Sequence, residues 1–297
     1  MDADASELIR REVIAAAVLH TAGQSGGSLP WQLLSNFPLP DGTRTRLVDP
    51  GRGGIWNPRN MAATLSILTS PDGPYADREE DGFLHYSFQA GPEGGKNLKL
   101  AAARDLGLPV LRFHKIAKAQ YVPIFPVYVV DVNPITREFV LSLDEGLRAI
   151  PDSQSLSPLE KRYVARLVDQ RVHQPRFRAR VMLAYKRQCC VCSLKHASLL
   201  DAAHITPDND TRGLPEVSNG LSLCKIHHAA YDQQFLGIDP DGVVHINKAL
   251  LEEVDGPMLR HGLQEMHGGS ILIPRHREER PDPSRLEERF ARFLHSA

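Results

Sequence analysis

The spacing of apolar residues changes along the chain and separates an N-terminal half from a C-terminal half. Residues 7–19 place apolar side chains at helical spacing, and the Gly/Ser-rich stretch AGQSGGS ends that helix. From about residue 40 to 143, short apolar runs such as TLSIL, FLHYSF and YVPIFPVYVVDV alternate with Gly, Pro and Asp turns. This pattern predicts an α+β protein whose N-terminal domain is built on a curved sheet.

A polar, proline-containing connector over residues 144–158 follows the β-rich region. The pair Ser157-Pro158 is typical of a helix start, so we expect a helix over residues 158–170. The last part of the chain, HREERPDPSRLEERFARF, resembles a surface helix or a dimer element. We therefore predict a first domain over residues 1–145, a linker and basic helix over 146–175, and a second domain with a helical tail over 176–297.

The net charge of −1 and the isoelectric point near 6.9 show no overall excess of basic residues. The segment from Lys161 to Arg187 nevertheless contains nine Lys or Arg residues and one acidic residue. A solvated helix face would have the same composition, but the position of this cluster just before the motifs described below favours contact with phosphates. The residues predicted to contact the DNA backbone are Arg176, Arg178, Arg180, Lys186 and Arg187.

The chain has no run of about 18 consecutive apolar residues, which a membrane span would require. Its first residues, MDADASELIRREV, are acidic and helical rather than typical of a signal peptide. We therefore expect a cytoplasmic protein with no membrane partner.

Two pairs of candidate metal ligands follow the basic cluster. Cys189 and Cys192 have a C-x-x-C spacing, and Cys224 and His227 form a C-x-x-H pair after 31 intervening residues. Such pairs bind one tetrahedral Zn²⁺ ion, and a reducing compartment favours metal binding over disulfides. The alternative is that these cysteines are merely small buried residues. Cys190 is left out of the predicted structural zinc site because its spacing is poorer.

Two strings between and around these pairs carry candidate catalytic residues. LLDAAHITP is typical of a strand that ends at Pro207, and SNGLSLCKIHHAAYD runs from Asn219 into a helix. Hydrolysis of a phosphodiester needs a base for the attacking water and a cation for the developing charge. His204 is the natural general base, since neutral imidazole accepts a proton near pH 7. Residues 176–237 resemble the HNH endonuclease family, whose ββα-metal fold is a hairpin followed by a helix.

The resemblance to the HNH family implies roles for further residues. Asn219 corresponds to the position that fixes the loop and orients the base, and His228 to a ligand of the catalytic metal. Asp232 lies one helical turn after His228 and is a second candidate ligand. Ala203 stands where the family often has a metal-binding histidine, and Asp201 is the candidate replacement. The expected ion is one divalent cation, Mg²⁺, Mn²⁺ or Ni²⁺.

The N-terminal half resembles the SRA domain, which recognises 5-methylcytosine in DNA. The resemblance rests on Tyr75 and Asp77 in GPYAD, on Tyr86 in FLHYSF and on a Gly-Gly turn, although Arg78 stands where the family has a second acid. It implies an SRA/PUA-like, barrel-like sheet in which the tyrosines stack on a flipped base and the aspartate accepts from its amino group. The alternative is that the tyrosines are core residues of a domain that binds DNA sequence-specifically or that dimerises.

The combination resembles the SRA-HNH modification-dependent, or type IV, restriction endonucleases. We therefore expect an endonuclease that acts on double-stranded, cytosine-modified DNA. One HNH site cuts one strand, so a double-strand break requires two protomers and a homodimer is expected. Two alternatives stay open, namely an HNH endonuclease or nickase that reads unmodified sequence and a non-catalytic, zinc-stapled DNA-binding protein.

Overall fold

The computed structural model describes residues 3–51, 53–71, 78–80, 82–89, 95–149, 156–208 and 210–296. The chain forms two compact units. The first comprises Met1–Gly23 and Gly27–Pro175, and the second comprises Gln24–Gly26 and Arg176–Ala297. The segment 156–175, which was predicted to belong to a linker and a basic helix, falls within the first unit.

The first unit is a mixed α+β structure, as the alternating apolar runs predicted. Its helices are α1 (Ala3–Gln24), α2 (Trp31–Ser35), α3 (Lys96–Asp105) and α4 (Pro158–Val168). Its strands are β1 (Leu29–Pro30), β2 (Phe37–Pro38), β3 (Arg44–Thr45), β4 (Ile55–Trp56), β5 (Ser66–Thr69), β6 (Arg78–Glu80), β7 (Phe83–Ser87), β8 (Val110–Ala117), β9 (Gln120–Asn133) and β10 (Glu138–Ser142).

Eight strands form one sheet, in the order β4-β5-β8-β9-β10-β7-β6, with β1 also paired to the long β9. The β5–β8 pair is parallel and the other pairs are antiparallel. The sheet is open, because β4 and β6 are its two edges and do not pair with each other within the described residues. The predicted barrel-like closure is therefore wrong.

Both faces of this sheet are covered by helices. On β8 the side chains alternate, so that Leu111 and Phe113 join the core beneath α1 while Val110 joins the core beneath α3. The guanidinium of the buried Arg11 on α1 donates to the backbone carbonyls of Thr64 and Pro109. α1 spans 22 residues, yet none of the described helices is both long and apolar enough to cross a membrane.

The predicted start of α4 is confirmed at Ser157. The hydroxyl of Ser157 accepts from the backbone N–H of Glu160, and the Glu160 carboxylate accepts from the backbone N–H of Ser157. Together these two bonds form a capping box. The α-helical pattern ends at Val168, two residues earlier than expected, and continues as a π-helical turn over Asp169–His173.

The second unit begins in α5 and contains two short antiparallel hairpins and several helices. Its helices are α5 (Gln174–Ala184), α6 (Lys225–Asp232), α7 (Lys248–Glu252), α8 (Pro257–Gly262) and α9 (Pro283–Ser296). Its strands are β11 (Leu200–His204), β12 (Gly220–Cys224), β13 (Leu236–Ile238) and β14 (Val244–Ile246). β11 pairs with β12 and β13 with β14, and residues from both hairpins and from α5, α6 and α9 share one apolar core.

Candidate active site

The second unit contains a hairpin followed directly by a helix. β11 and β12 are antiparallel, with His204 opposite Gly220 and Leu200 opposite Cys224, and α6 begins at the next residue, Lys225. Cys224 is therefore the last residue of the strand and the N-cap of the helix, whereas its motif had been assigned to the helix. This is the ββα arrangement that the sequence predicted, and it places the two cysteine-bearing turns near each other.

The four predicted structural ligands converge at one point. The ligand atoms of Cys189, Cys192, Cys224 and His227 all lie within 4.8 Å of one another. Nδ1 of His227 is 3.4 Å from Sγ of Cys189 and 3.2 Å from Sγ of Cys224, while Nε2 is 2.8 Å from the carbonyl oxygen of Gly262. Because a carbonyl only accepts, Nε2 carries the proton and Nδ1 turns its lone pair to the sulfurs. That is the tautomer a metal-binding histidine adopts.

The chemistry of the cysteine cluster also fits a cation. The neighbouring Cys189 sulfur, together with burial, raises the pKa of Cys224 to about 11, because several sulfur atoms share a small volume. A bound cation would remove this penalty by stabilising the thiolates. Cys190 is completely buried and takes no part in the cluster, and its backbone N–H donates to the carbonyl of Ser222 instead. The group fits a structural metal ion.

His204, the candidate general base, is the last residue of β11 and is half-buried. Its ring stacks on the ring of Phe177 from α5, with 4.1 Å between ring centroids and 16° between ring planes. Phe177 is 3% exposed and belongs to the core of the unit. One ring face of His204 is thus covered by a rigid aromatic side chain, which no sequence motif had indicated.

Asn219 braces the loop that follows His204. Its side chain is fully buried, and Oδ1 accepts from the backbone N–H of Thr206 at 2.8 Å. Nδ2 donates to the carbonyls of Thr206 and Leu214, each at 3.0 Å. The backbone carbonyl of Asn219 accepts from the N–H of Ile205. The Asn219 side chain is therefore hydrogen-bonded at two points of the loop between β11 and β12.

We expect Asn219→Asp to destabilise this loop. A carboxylate would still accept from the N–H of Thr206 but would face the carbonyls of Thr206 and Leu214 without a donor. Each buried group left without a partner costs about 1–3 kcal/mol. The loss should appear as a lower unfolding midpoint of the second unit in a denaturant titration. Ser218→Ala, one residue earlier, is the matched control, and equal midpoints for both variants would contradict the bracing role.

His228 lies between two carboxylates. Its Nδ1 is 3.3 Å from Oδ2 of Asp201 on β11, and its Nε2 is 3.3 Å from Oδ2 of Asp232 one turn later on α6. The ammonium of Lys225 is 2.6 Å from both oxygens of Asp201. Burial alone would raise the pKa of Asp201, but the hydrogen bonds from Lys225 and His228 outweigh it and lower the pKa. The structure thus brings the three predicted ligands of the catalytic cation together.

Comparison with known proteins supports this interpretation of the hairpin and helix. Residues 189–239 match the family model described as HNH endonuclease. The second unit carries an HNH endonuclease domain. The protein is accordingly a DNA-cleaving hydrolase. A comparison with curated proteins found no match.

Solved structures with some similarity include two restriction endonucleases. One is the modification-dependent TagI restriction endonuclease, at 17% identity and a TM-score of 0.33, with 77% of this chain and 81% of TagI covered. The other is the type IV phosphorothioation-dependent restriction endonuclease ScoMcrA, at 16% identity and a TM-score of 0.22, with 64% of this chain and 53% of ScoMcrA covered.

The tail helix α9 supports the HNH domain from outside the matched region. Leu286 and Phe293 are buried, so α9 packs on the unit instead of forming a free surface helix. Nη2 of Arg289 donates to the carbonyl of Tyr231 at 3.0 Å, and the guanidinium lies 4.7 Å from the Tyr231 ring centroid and 3.7 Å from Asp232. α9 thereby holds the end of α6, where a candidate metal ligand lies.

A second link joins α9 to the loop between β11 and β12. The guanidinium of Arg212 donates to both carboxylate oxygens of Glu288, at 2.9 and 3.0 Å. Arg285 donates to the carbonyl of Arg212 at 2.7 Å. The loop that Asn219 braces from inside is therefore also fixed from the side of α9.

The five basic residues predicted to contact the DNA backbone lie on and just after α5. Nη2 of Arg178 donates to the carbonyls of Ala197 and Leu200, which ties α5 to the start of β11. Arg187 donates to the carbonyl of Ser25, whereas Lys186 is exposed. Contact with DNA stays a prediction for all of them, Arg176 and Arg180 included.

The predicted base pocket is only partly described. Tyr75 and Asp77 lie outside the described residues. Tyr86 lies in β7, is 4% exposed and packs in the core that α3 covers. Near this strand the first unit has a cavity of about 540 Å³, and its polar lining includes Glu79 and the buried Arg112, 2.6 Å apart, together with Ser142, Lys161 and His173. The apolar lining of the cavity includes Phe83, Leu84, Leu141, Val168 and Val172.

Proposed function

We propose that the protein is a modification-dependent DNA endonuclease that hydrolyses phosphodiester bonds with His204 as general base. The observation that carries the nuclease mechanism is the geometry of the HNH domain. His204 ends β11 beside a loop fixed by Asn219, and the same strand carries Asp201, which contacts His228 on α6. The hairpin and the helix that bear these residues are joined at the cysteine cluster.

In the proposed reaction, His204 takes a proton from a water molecule while the water oxygen forms a bond to phosphorus. The bond between phosphorus and the 3′ oxygen breaks, and that oxygen leaves and later takes up a proton. Hydrolysis by general-base catalysis gains about 10²–10⁴-fold from a correctly placed base. A divalent cation held by His228, with Asp201 and Asp232 beside it, would supply electrostatic stabilisation of the negative charge that develops.

Zn²⁺ is the ion we assign to the Cys189, Cys192, Cys224 and His227 cluster. Three sulfurs and one imidazole nitrogen form the ligand set of a closed, tetrahedral structural zinc site. The catalytic cation is a different ion, because imidazole and carboxylate oxygens suit Mg²⁺, Mn²⁺ or Ni²⁺. We further propose a homodimer for double-strand cleavage, since one HNH site cuts one strand.

The cavity of the first unit supports recognition of a modified base. Small-molecule sites generally measure about 300–1,000 Å³, and a single nucleobase fits within the observed volume. Glu79 offers an acceptor for an exocyclic amino group, Arg112 offers donors for a ring carbonyl, and the apolar lining would accept a methyl group. Glu79 lines this cavity and lies two residues after Asp77 in the sequence.

We expect cleavage of cytosine-methylated plasmid and little cleavage of the same plasmid without the modification. The experiment incubates the protein and a divalent cation with methylated, hydroxymethylated and unmodified DNA. Equal cutting of all three would instead support an HNH enzyme that reads unmodified sequence. No cutting of any of the three would contradict the proposal.

The contribution of the cavity can be tested separately. Glu79→Gln should reduce the preference for methylated DNA about tenfold or more, because one good base contact contributes about 1–3 kcal/mol to discrimination. Glu80→Gln is the matched control, since Glu80 is on the same strand and its side chain is 62% exposed. An unchanged preference in Glu79→Gln would place base recognition elsewhere.

A further inference from the structure

We propose that Phe177 is a positioning residue that fixes the plane of the His204 ring, and that Gly220 is glycine because Phe177 and Val181 on α5 approach it closely. The inference rests on the proposed role of His204 as general base. It concerns α5, outside the segment that matches the HNH family model, which begins at residue 189.

The stack constrains the motion that matters for a base. The ring torsion χ2 of histidine is broad and roughly two-fold, so a strand position alone leaves the ring plane poorly defined. Phe177 lies nearly parallel to His204 at 4.1 Å between centroids, which is close packing of two ring faces. Rotation about χ2 would drive the edge of the imidazole into the phenyl ring. The nitrogen lone pair of His204 is thereby held in one plane.

Phe177 is itself rigid. Its side chain is 3% exposed within the core of the unit, and the next residue, Arg178, ties α5 to the carbonyls of Ala197 and Leu200 around the start of β11. α5 is therefore fixed to the strand that ends in His204. The stacking face moves with the strand, and the ring plane of the base is set by the packing of the core.

Gly220 provides the space for this arrangement. It is the strand partner of His204, and a Cβ added there would lie 3.0 Å from Cε2 and Cζ of Phe177 and 2.5 Å from Cγ2 of Val181. The backbone of Gly220 has φ of −127° and ψ of 140°, which any residue adopts in a strand. Backbone conformation therefore does not require glycine at this position. The close approach of α5 does.

A purely structural phenylalanine would be equally buried, so the test must separate stability from catalysis. Phe177→Leu keeps an apolar side chain and removes the ring face. We expect kcat to fall about tenfold or more, as for a displaced catalytic group, with the KM for DNA within about twofold of the wild-type value. Val181→Ala, which trims the same helix at its other contact with Gly220, is the matched control for lost core packing. It should keep kcat near the wild-type value.

The second measurement is a double-mutant cycle between Phe177 and Gly220. Every member of the cycle carries Val181→Ala, which removes the nearer contact of the added methyl group. In that background Gly220→Ala should lower kcat because its methyl group displaces the phenyl ring, and it should cost much less once Phe177→Leu has removed the ring. Effects on kcat that multiply to within about twofold would overturn the proposal, because residues that share no interaction act independently. If Phe177→Leu does not fold, Gly220→Ala in the Val181→Ala background decides the matter, because only the contact with the phenyl ring then remains and a wild-type kcat would overturn the proposal.

His204→Ala in the same panel distinguishes this inference from the proposed function. If His204→Ala still cleaves DNA, the general-base assignment fails. If His204→Ala is inactive while Phe177→Leu cleaves at the wild-type rate, the general base stands and the positioning role is wrong. Metal content and the unfolding midpoint, measured for every variant, show that each kcat value refers to folded protein.

Discussion

Replacing His204 by alanine is expected to lower the rate of DNA cleavage by about 10²–10⁴-fold, the usual contribution of a positioned general base. The change removes the imidazole at the end of β11 but none of the four clustered ligands of the structural metal. The fold, the metal content and the affinity for DNA should therefore stay close to those of the wild type. The measurement is single-turnover cleavage at saturating protein, with binding followed separately by fluorescence anisotropy.

His196→Ala provides the control for His204→Ala. His196 is exposed, lies in the same unit and caps a short 3-10 turn without a side-chain hydrogen bond. Its removal should leave the cleavage rate unchanged. Wild-type cleavage by His204→Ala would show that His204 is not the general base. Loss of both DNA binding and cleavage would instead assign His204 to DNA recognition.

Cys192→Ser is expected to abolish metal binding by the cysteine cluster and to unfold the second unit. Structural zinc contributes about 10 kcal/mol or more to modules of this kind, while the whole stability of a domain is about 5–15 kcal/mol. Cys192 is exposed, so its packing contributes little and the effect must come through the metal. Unfolding should be followed by circular dichroism and the metal content by atomic absorption. A strong chelator should reproduce the effect in the wild-type protein.

Cys190→Ala is a control for Cys192→Ser because burial and metal ligation predict opposite results for the two variants. Cys190 is completely buried, whereas Cys192 is exposed, so burial alone predicts that Cys190→Ala is the more harmful change. Metal ligation predicts the reverse, with Cys190→Ala retaining the ion and losing about 0.5–3 kcal/mol, as ordinary core substitutions do. Retention of the ion by Cys192→Ser would show that Cys192 is not a required ligand of the ion.

Much of the HNH domain could be predicted because its chemistry depends on local spacing. Ligand pairs two residues apart must lie in tight turns, and a strand ending at Pro207 followed by a second strand and a helix permits few arrangements. The structure brings Cys189, Cys192, Cys224 and His227 within ligand distance, and it also brings Asp201 and Asp232 to His228. The roles of these residues stay predictions, but the sequence spacing predicted that they lie close together.

The features that sequence reasoning missed depend on contacts between distant elements. Barrel closure is decided by whether the sheet edges β4 and β6 meet, and a short run of alternating residues carries no information about that. The stack of Phe177 on His204 depends on how α5 packs against β11, which local spacing does not determine. The glycine at position 220 was the one sequence feature that indicated a close approach there. The contacts of Arg289 with Tyr231 could not be predicted from the charged sequence of α9. An arginine that supports a neighbouring helix has the same sequence pattern as one that is exposed to solvent.

The contacts between α9 and the end of α6 can form only late in synthesis. α6 ends at Asp232, whereas α9 begins at Pro283, so a ribosome releases the hairpin and its ligands well before the helix that holds them. At synthesis rates of about 5–20 residues per second, the delay between the end of α6 and the start of α9 is roughly 3–10 seconds. During that interval the nascent chain has its reactive groups but not their final support. The support that α9 gives to the end of α6 therefore forms only after residues 283–296 have been synthesised.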